Sequence, residues 1–290
     1  LNGMTFGFQI AVGPAVAGYA YALKPHYAYM FSAGLFLAAV LALILVGKVR
    51  QAPPQRDRHP IRQVLDGFSY VRTNRLVFGA ITLDLFAVLL TGTTALLPVY
   101  ARDILHIGSA GLGHLAAAPG IGAGLTALYF SFRPIRSNVG LKMLISVGVF
   151  GLATIAFGIT AFLPQQAAML VALAAMATWG SADMFSVFVR QSLIQLHTPD
   201  EMRGRVSSVS MMTISASNEL GEAESGFLAA LIGPVAAVIL GGAGAILITI
   251  WWSRLFPELR NARTFDPPDL LARKHPDSRS SQSSSHPRPS

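Results

Sequence analysis

The amino-acid sequence predicts an all-α membrane protein, and three observations carry that prediction. Its apolar residues come in blocks long enough to cross a bilayer. Only 12% of the 290 residues are charged, against 52% hydrophobic. Its basic residues gather in alternate connections between the blocks. A soluble domain averages about 25% charged residues, so half that fraction leaves too little polar surface to coat a water-soluble globule. A helix needs roughly 20 apolar residues to cross about 30 Å of hydrocarbon. Tyr27 to Gly47, Leu141 to Leu163 and Val235 to Phe256 all meet that length. Barrel strands would alternate in period two over about 10 residues, and no such alternation occurs.

Read in order, the spans are expected at 4–23, 27–47, 76–101, 109–131, 141–163, 167–190, 206–230 and 235–256. Short breaks separate them at Lys24 to His26, Arg102 to Gly108, Pro164 to Gln166 and Gly233-Pro234. Four longer polar segments remain: 48–75, 132–140, 191–205 and the tail after Arg254. In 48–75, Ile61, Val64, Leu65, Phe68 and Val71 recur at helical spacing, while Arg62, Asp66 and Arg72 occupy other faces. That pattern predicts an amphipathic helix along the inner membrane surface, tethering two bundles. Thr198-Pro199-Asp200-Glu201 supplies a capping hydroxyl, a first-turn proline and a glutamate able to reach back, so a helix is expected to start there. The tail, rich in Pro, Ser and Arg, cannot bury a core, and 257–290 is expected to be disordered.

Charge sets the orientation, because Lys and Arg accumulate in connections that stay cytoplasmic. Twenty of the 22 basic residues fall on one side; Arg190 is counted there as a loop residue, and only Lys24 and Arg102 fall on the other. Both ends of the chain are therefore expected on the cytoplasmic side. A pI near 10 could signal nucleic-acid binding, but these cations flank membrane spans, so no nucleic-acid partner is expected; lipid is. With no cysteine, thiolate metal sites and disulfides are excluded, and the seven histidines form no metal-binding spacing. No metal or other cofactor is expected. Gly120, Gly122 and Gly124 lie inside an apolar span with no strand before them. They suit close helix packing through Gly120-x-x-x-Gly124 better than a nucleotide loop. No nucleophile motif appears, and an enzyme is not expected.

Function must then be read from polar groups inside the spans. A charge at the bilayer centre costs about 2.5–3.5 kcal/mol on insertion scales, so it faces a cavity or a partner. Asp84, Asp183, Glu219 and Glu222 are such charges. Glu219 and Glu222 lie about 60° apart on one helix face, with Asn218 beside them, whereas Glu224 points elsewhere. One reading has these acids lining an aqueous cavity that binds protons and steers substrate. The other has them paired with arginine or backbone groups, locking helices together.

Four stretches resemble a known family. Gln9 to Gly18, with Gly13-Pro14 and Gly18, is similar to a helix-bending antiporter motif. Asp84-Leu85-Phe86-Ala87 through Leu97-Pro98-Val99-Tyr100-Ala101 looks like a seventh helix, Thr198 to Ser210 like an inner loop, and Ser215 to Glu222 like an eleventh helix. Together they resemble the major facilitator superfamily, in its branch of bacterial siderophore exporters. The segment Phe132 to Gly140 departs from the family's basic loop motif: it keeps Arg133 and Arg136 without an acidic partner.

The resemblance implies a twelve-helix fold, of which this chain holds the last two helices of the N-terminal half in 1–47. A cytoplasmic linker at 48–75 and the complete C-terminal six-helix half at 76–256 would follow. It also implies a proton-coupled exporter of a small molecule, a siderophore such as enterobactin or a drug or metabolite, in a bacterial inner membrane and monomeric when full length. The alternative is a non-transporting fragment or a membrane assembly subunit.

Overall fold

The computed structural model describes residues 24–46, 60–133, 135 and 137–265. The expected first span at 4–23, with Gly13, Pro14 and Gly18, lies outside the described residues, as does the chain from 266. Every described element is helical: α1 (Pro25–Val46), α2 (Pro60–Thr73), α3 (Arg75–Leu90), α4 (Thr93–Val99), α5 (Gly108–Phe132), α6 (Val139–Ile159), α7 (Gln165–Leu196), α8 (Asp200–Ile232), α9 (Pro234–Leu255) and α10 (Pro257–Arg260). Among the described residues, five segments are long and apolar enough to cross a membrane: Arg75–Ile104, Gly108–Phe132, Val139–Phe162, Gln165–Leu196 and Pro234–Leu255. α8, with 33 residues, is about 50 Å long by helical rise, but its polar residues keep it below that apolarity.

The expected single span at 76–101 is divided. α3 ends at Thr91 and α4 begins after Gly92, in a Thr-Gly-Thr-Thr run with weak helix propensity. Thr91 turns its hydroxyl back onto the Ala87 carbonyl at 2.7 Å, and its N–H onto Val88 O at 3.0 Å. Pro98 then removes a donor inside α4. The chain continues as a π turn over Tyr100–Ile104, with Leu105 N–H donating to Tyr100 O at 2.8 Å.

Small residues set the close helix crossings, as expected where lipid supplies no hydrophobic drive between helices. A side chain at Gly122 of α5 would overlap the Ala177 carbonyl of α7, and one at Gly180 would overlap Pro119. The anticipated Gly124 contact is not made, for nothing approaches that position; the crossing centres one half-turn earlier, on Gly122. α6 meets α9 through Gly151 and Gly242, and α8 meets the α3–α4 break where Gly92 lies on Gly221. Gly233, at φ 89°, makes the α8–α9 turn.

Three cores result. Leu83, Met143, Val147, Phe150, Val189 and Trp252 fill the space between α3, α6, α7 and α9. Leu97, Tyr100, Leu115, Phe157 and Met176 fill the opposite end, with Tyr100 stacked on Phe157 at 4.4 Å. Val71, Val77, Ile194, Val206 and Val209 join α2 to α3, α7 and α8. The expected amphipathic helix is therefore present as α2, and it docks on protein along one face. Gly67 rests against the Arg205 carbonyl, Tyr70 Oη donates to His197 O at 2.8 Å, and Arg205 pairs with Asp66 at 3.3 Å. Leu65 and Phe68 stay exposed on its other side.

Two ends differ from expectation. At the start of α8, Pro199 is the capping residue and makes no side-chain cap bond, while Thr198 Oγ1 is buried without a partner among the described residues. Asp200 instead meets Arg203 at 2.6 Å. The segment expected to open a disordered tail at 257 is ordered as far as 265, because Leu259 is fully buried and Gly140 N–H donates to Ala262 O at 3.0 Å. That bond satisfies one of the free donors at the start of α6.

Candidate functional site

Asp84 lies ten residues into α3, and its side chain points into the interface with α7. There it pairs with Arg190. Arg190 is 2% exposed and Asp84 7%. This corrects the sequence reading, which ended the span at 190 and placed Arg190 in a loop: α7 continues to Leu196, and Leu193 and Ile194 one turn on are themselves buried. The omission had a legible remedy. Asp183, Ser186 and Arg190 stand at i, i+3 and i+7, one stripe of a helix, and the apolar period runs on past Arg190.

Asp183 is half-buried, on the same stripe of α7 and within electrostatic reach of both Asp84 and Arg190. Asp84, Asp183 and Ser186, with Ala87, Val147 and Phe150, line a void with room for about one water molecule. Ser186 Oγ and Arg190 Nε are buried without hydrogen-bond partners among the described residues. The group thus holds two carboxylates to one guanidinium, with the unmet Ser186 hydroxyl at a water-sized space. Such an arrangement can take up one proton or one ordered water.

The acids of α8 form a separate group. Thr94 Oγ1, on α4 just past the break, donates to Glu222 Oε1 at 3.0 Å. Glu219, a turn earlier, and Asn218 are exposed on the open side of α8. Thr94 is ten residues beyond Asp84, about 15 Å by helical rise, so the four acids do not share one void: Asp84 and Asp183 are enclosed, and Glu219 and Glu222 face outward. Glu224 is half-buried, with its Oε2 unpartnered among the described residues. No group of residues able to hold a metal ion occurs among the described residues. A cavity of about 760 Å³ opens where α2, α3 and α7 end, lined by Tyr70, Arg75, His197, Glu258 and Arg263. It holds the Arg75–Glu258 pair at 2.7 Å and lies away from both acidic groups.

Several helices apolar and long enough to cross a membrane, one of them broken, around an enclosed ion pair define a multi-pass membrane protein. The sequence profile of the Major Facilitator Superfamily matches residues 1–222, and the chain belongs to that family of membrane transporters. It is 27% identical over 270 residues to the enterobactin exporter EntS of Shigella dysenteriae serotype 1 (strain Sd197), covering 93% of this chain and 60% of that protein. It is 28% identical over 242 residues to the enterobactin exporter EntS of Escherichia coli K12, covering 83% of this chain and 56% of that protein. The chain thus spans less than two thirds of the length of these relatives. No solved structure matches it.

Proposed function

We propose that this chain is the larger part of a secondary active exporter that moves a siderophore such as enterobactin, or a drug or metabolite, out of the cell in exchange for protons. The family supports transport, and the enterobactin exporters it resembles support export and a siderophore substrate. The observation that carries proton coupling is the Asp84–Arg190–Asp183 group: one carboxylate in excess of its cation, enclosed between two spans. In this reading Asp183 takes and releases the proton: deprotonated, it competes with Asp84 for Arg190; protonated, it leaves Arg190 to Asp84, and α3 shifts against α7 as that balance changes. Glu219, Glu222 and Asn218 on α8 face the substrate path.

In the same reading 1–47 holds the last two helices of one half, 48–75 is the linker, and 76–256 is the complete second half. The protein resides in a bacterial inner membrane with both ends of this chain in the cytoplasm, and functions as a monomer. A half of this fold has only one wall of the path, so the chain alone is expected not to export. The test is secretion of enterobactin by exporter-null cells. The comparison is between the chain alone and the chain joined to the preceding helices of an EntS protein. Secretion from the joined protein that rises with an imposed proton gradient and is lost on Asp183→Asn supports the proposal. Full secretion by the joined Asp183→Asn protein overturns the coupling assignment, and no secretion by the unaltered joined protein overturns the exporter reading.

A further inference from the structure

On the face of α7 turned about 140° from the Asp183–Arg190 stripe, a groove of about 410 Å³ runs between α5 and α6. Its floor is Thr178, Ser181 and Phe185 of α7; Thr126 of α5 forms one wall, and Ile145 and Val149 of α6 the other. Around it the surface is exposed and apolar, with Leu125 at 63%, Ile145 at 56% and Leu152 at 59%. These spans are long and apolar enough to cross a membrane.

The groove offers almost no hydrogen bonding along its length. Thr126 Oγ1 donates to Ser181 O at 3.4 Å, Ser146 Oγ to Met143 O at 2.7 Å and Thr178 Oγ1 to Ala174 O at 2.8 Å. The hydroxyl hydrogens of Thr126, Ser146 and Thr178 are therefore used inside the protein, and apart from Ser181 Oγ the groove presents mainly methyl and methylene surface. The charged exception is Lys142, which lines the end nearest the start of α6 and has no carboxylate partner among the described residues.

Lys142 is the fourth residue of α6, where the helix dipole disfavours a cation but where a cation at the headgroup level on the cytoplasmic side is favoured. From Lys142 to Val149 the helix rises about 10 Å, which is most of the depth of one hydrocarbon leaflet of about 15 Å. A cation at the headgroup level, above an apolar channel of leaflet depth, matches the two ends of one kind of molecule.

We propose that this groove seats one acyl chain of an anionic phospholipid, whose phosphate is held by Lys142. A single basic residue at an anionic lipid surface contributes about 1 kcal/mol, which is about a fivefold preference. The full chain in detergent is titrated with dioleoyl phosphatidylglycerol and, separately, dioleoyl phosphatidylcholine, and bound lipid is counted by native mass spectrometry. The unaltered protein is expected to retain one phosphatidylglycerol about fivefold more tightly than phosphatidylcholine. Lys142→Gln is expected to abolish that preference, Lys142→Arg to keep it, and Val149→Trp, which fills the channel, to weaken both lipids. All three variants are compared only after eluting with the unaltered protein in size exclusion. Should a variant fail to elute so, hydrogen exchange at α6 and α7 of the unaltered protein, with and without phosphatidylglycerol, decides. Protection confined to these helices supports the site, and no protection overturns it. An undiminished preference in Lys142→Gln, unchanged lipid retention in Val149→Trp, or displacement of the lipid by millimolar inorganic phosphate would each overturn it.

Discussion

Arg190 on α7 and Asp84 on α3 form an ion pair almost wholly removed from solvent, joining two membrane-crossing helices at a point where neither has another counter-charge on its own element within one turn. Removing one partner of a buried pair leaves the other uncompensated and costs about 3–5 kcal/mol. Arg190→Gln and Asp84→Asn are each expected to lower stability by that order. The double variant should be less destabilised than the sum of the two. Thermal unfolding of the four proteins in one detergent measures the coupling; strictly additive losses would show that the pair is not an energetic unit.

Glycine positions separate into two groups by what surrounds them. At Gly122 a side chain meets the Ala177 carbonyl, whereas nothing lies near Gly124 two residues on. Gly122→Val should cost about 1–3 kcal/mol through forced displacement of α7. Gly124→Ala should be neutral or stabilise by up to about 1 kcal/mol, because alanine favours the helix. Recovery of monodisperse protein and its unfolding temperature compare the two directly.

His197, just beyond α7, responds to pH. Burial holds its imidazole below the usual histidine range, and a hydrogen bond to Leu193 O opposes that effect in part. In the unfolded chain it takes a proton near pH 6.5, while in the folded chain it does so only at lower pH. The unfolded state therefore binds more protons in that interval, and stability rises with pH there. The contribution is complete above about pH 6.5 and is lost as pH falls through the lowered folded value. Unfolding temperature measured from pH 7.5 down to 5 should show this decline, and His197→Asn should flatten it.

The docking of α2 rests on close backbone approach at Gly67 more than on charge. Its ion pair, Arg205 with Asp66, is partly exposed, and such pairs contribute about 0–1 kcal/mol. Arg205→Ala is accordingly expected to leave α2 in place, whereas Gly67→Leu should lift it from α8. Protease cleavage between 48 and 75 should accelerate in Gly67→Leu and change little in Arg205→Ala.

The apolar blocks were legible because length and composition suffice to define a membrane span. Thus 27–47, 109–131, 141–163 and 235–256 fall within a few residues of the helices at Pro25–Val46, Gly108–Phe132, Val139–Ile159 and Pro234–Leu255. The break after Leu90 was not, since Thr91-Gly92 is no more polar than many helix interiors. It is tertiary contact with Gly221 and Gly241 that occupies the backbone there. Asp84 was legible as a charge requiring a partner. The partner was not, because Arg190 sits where cations commonly mark the end of a span, and only the i, i+7 relation to Asp183 separates the two cases. Glu219 and Glu222 were placed on one face, and the structure keeps them there; that Thr94 reaches Glu222 follows from a fold that brings residues 128 apart together.

Gly140 and Ala262 have a practical corollary. The α6 amide that donates to Ala262 opens the span Val139–Phe162, and the residues that supply its acceptor follow the span Pro234–Leu255. The far end of this bundle is thus its fastener. A reporter or affinity handle grafted at 257 would strip that closure and leave the start of α6 and the buried side of Leu259 to solvent, whereas one placed after 265 would leave both intact. Where an engineer cuts this chain decides whether the remaining helices assemble.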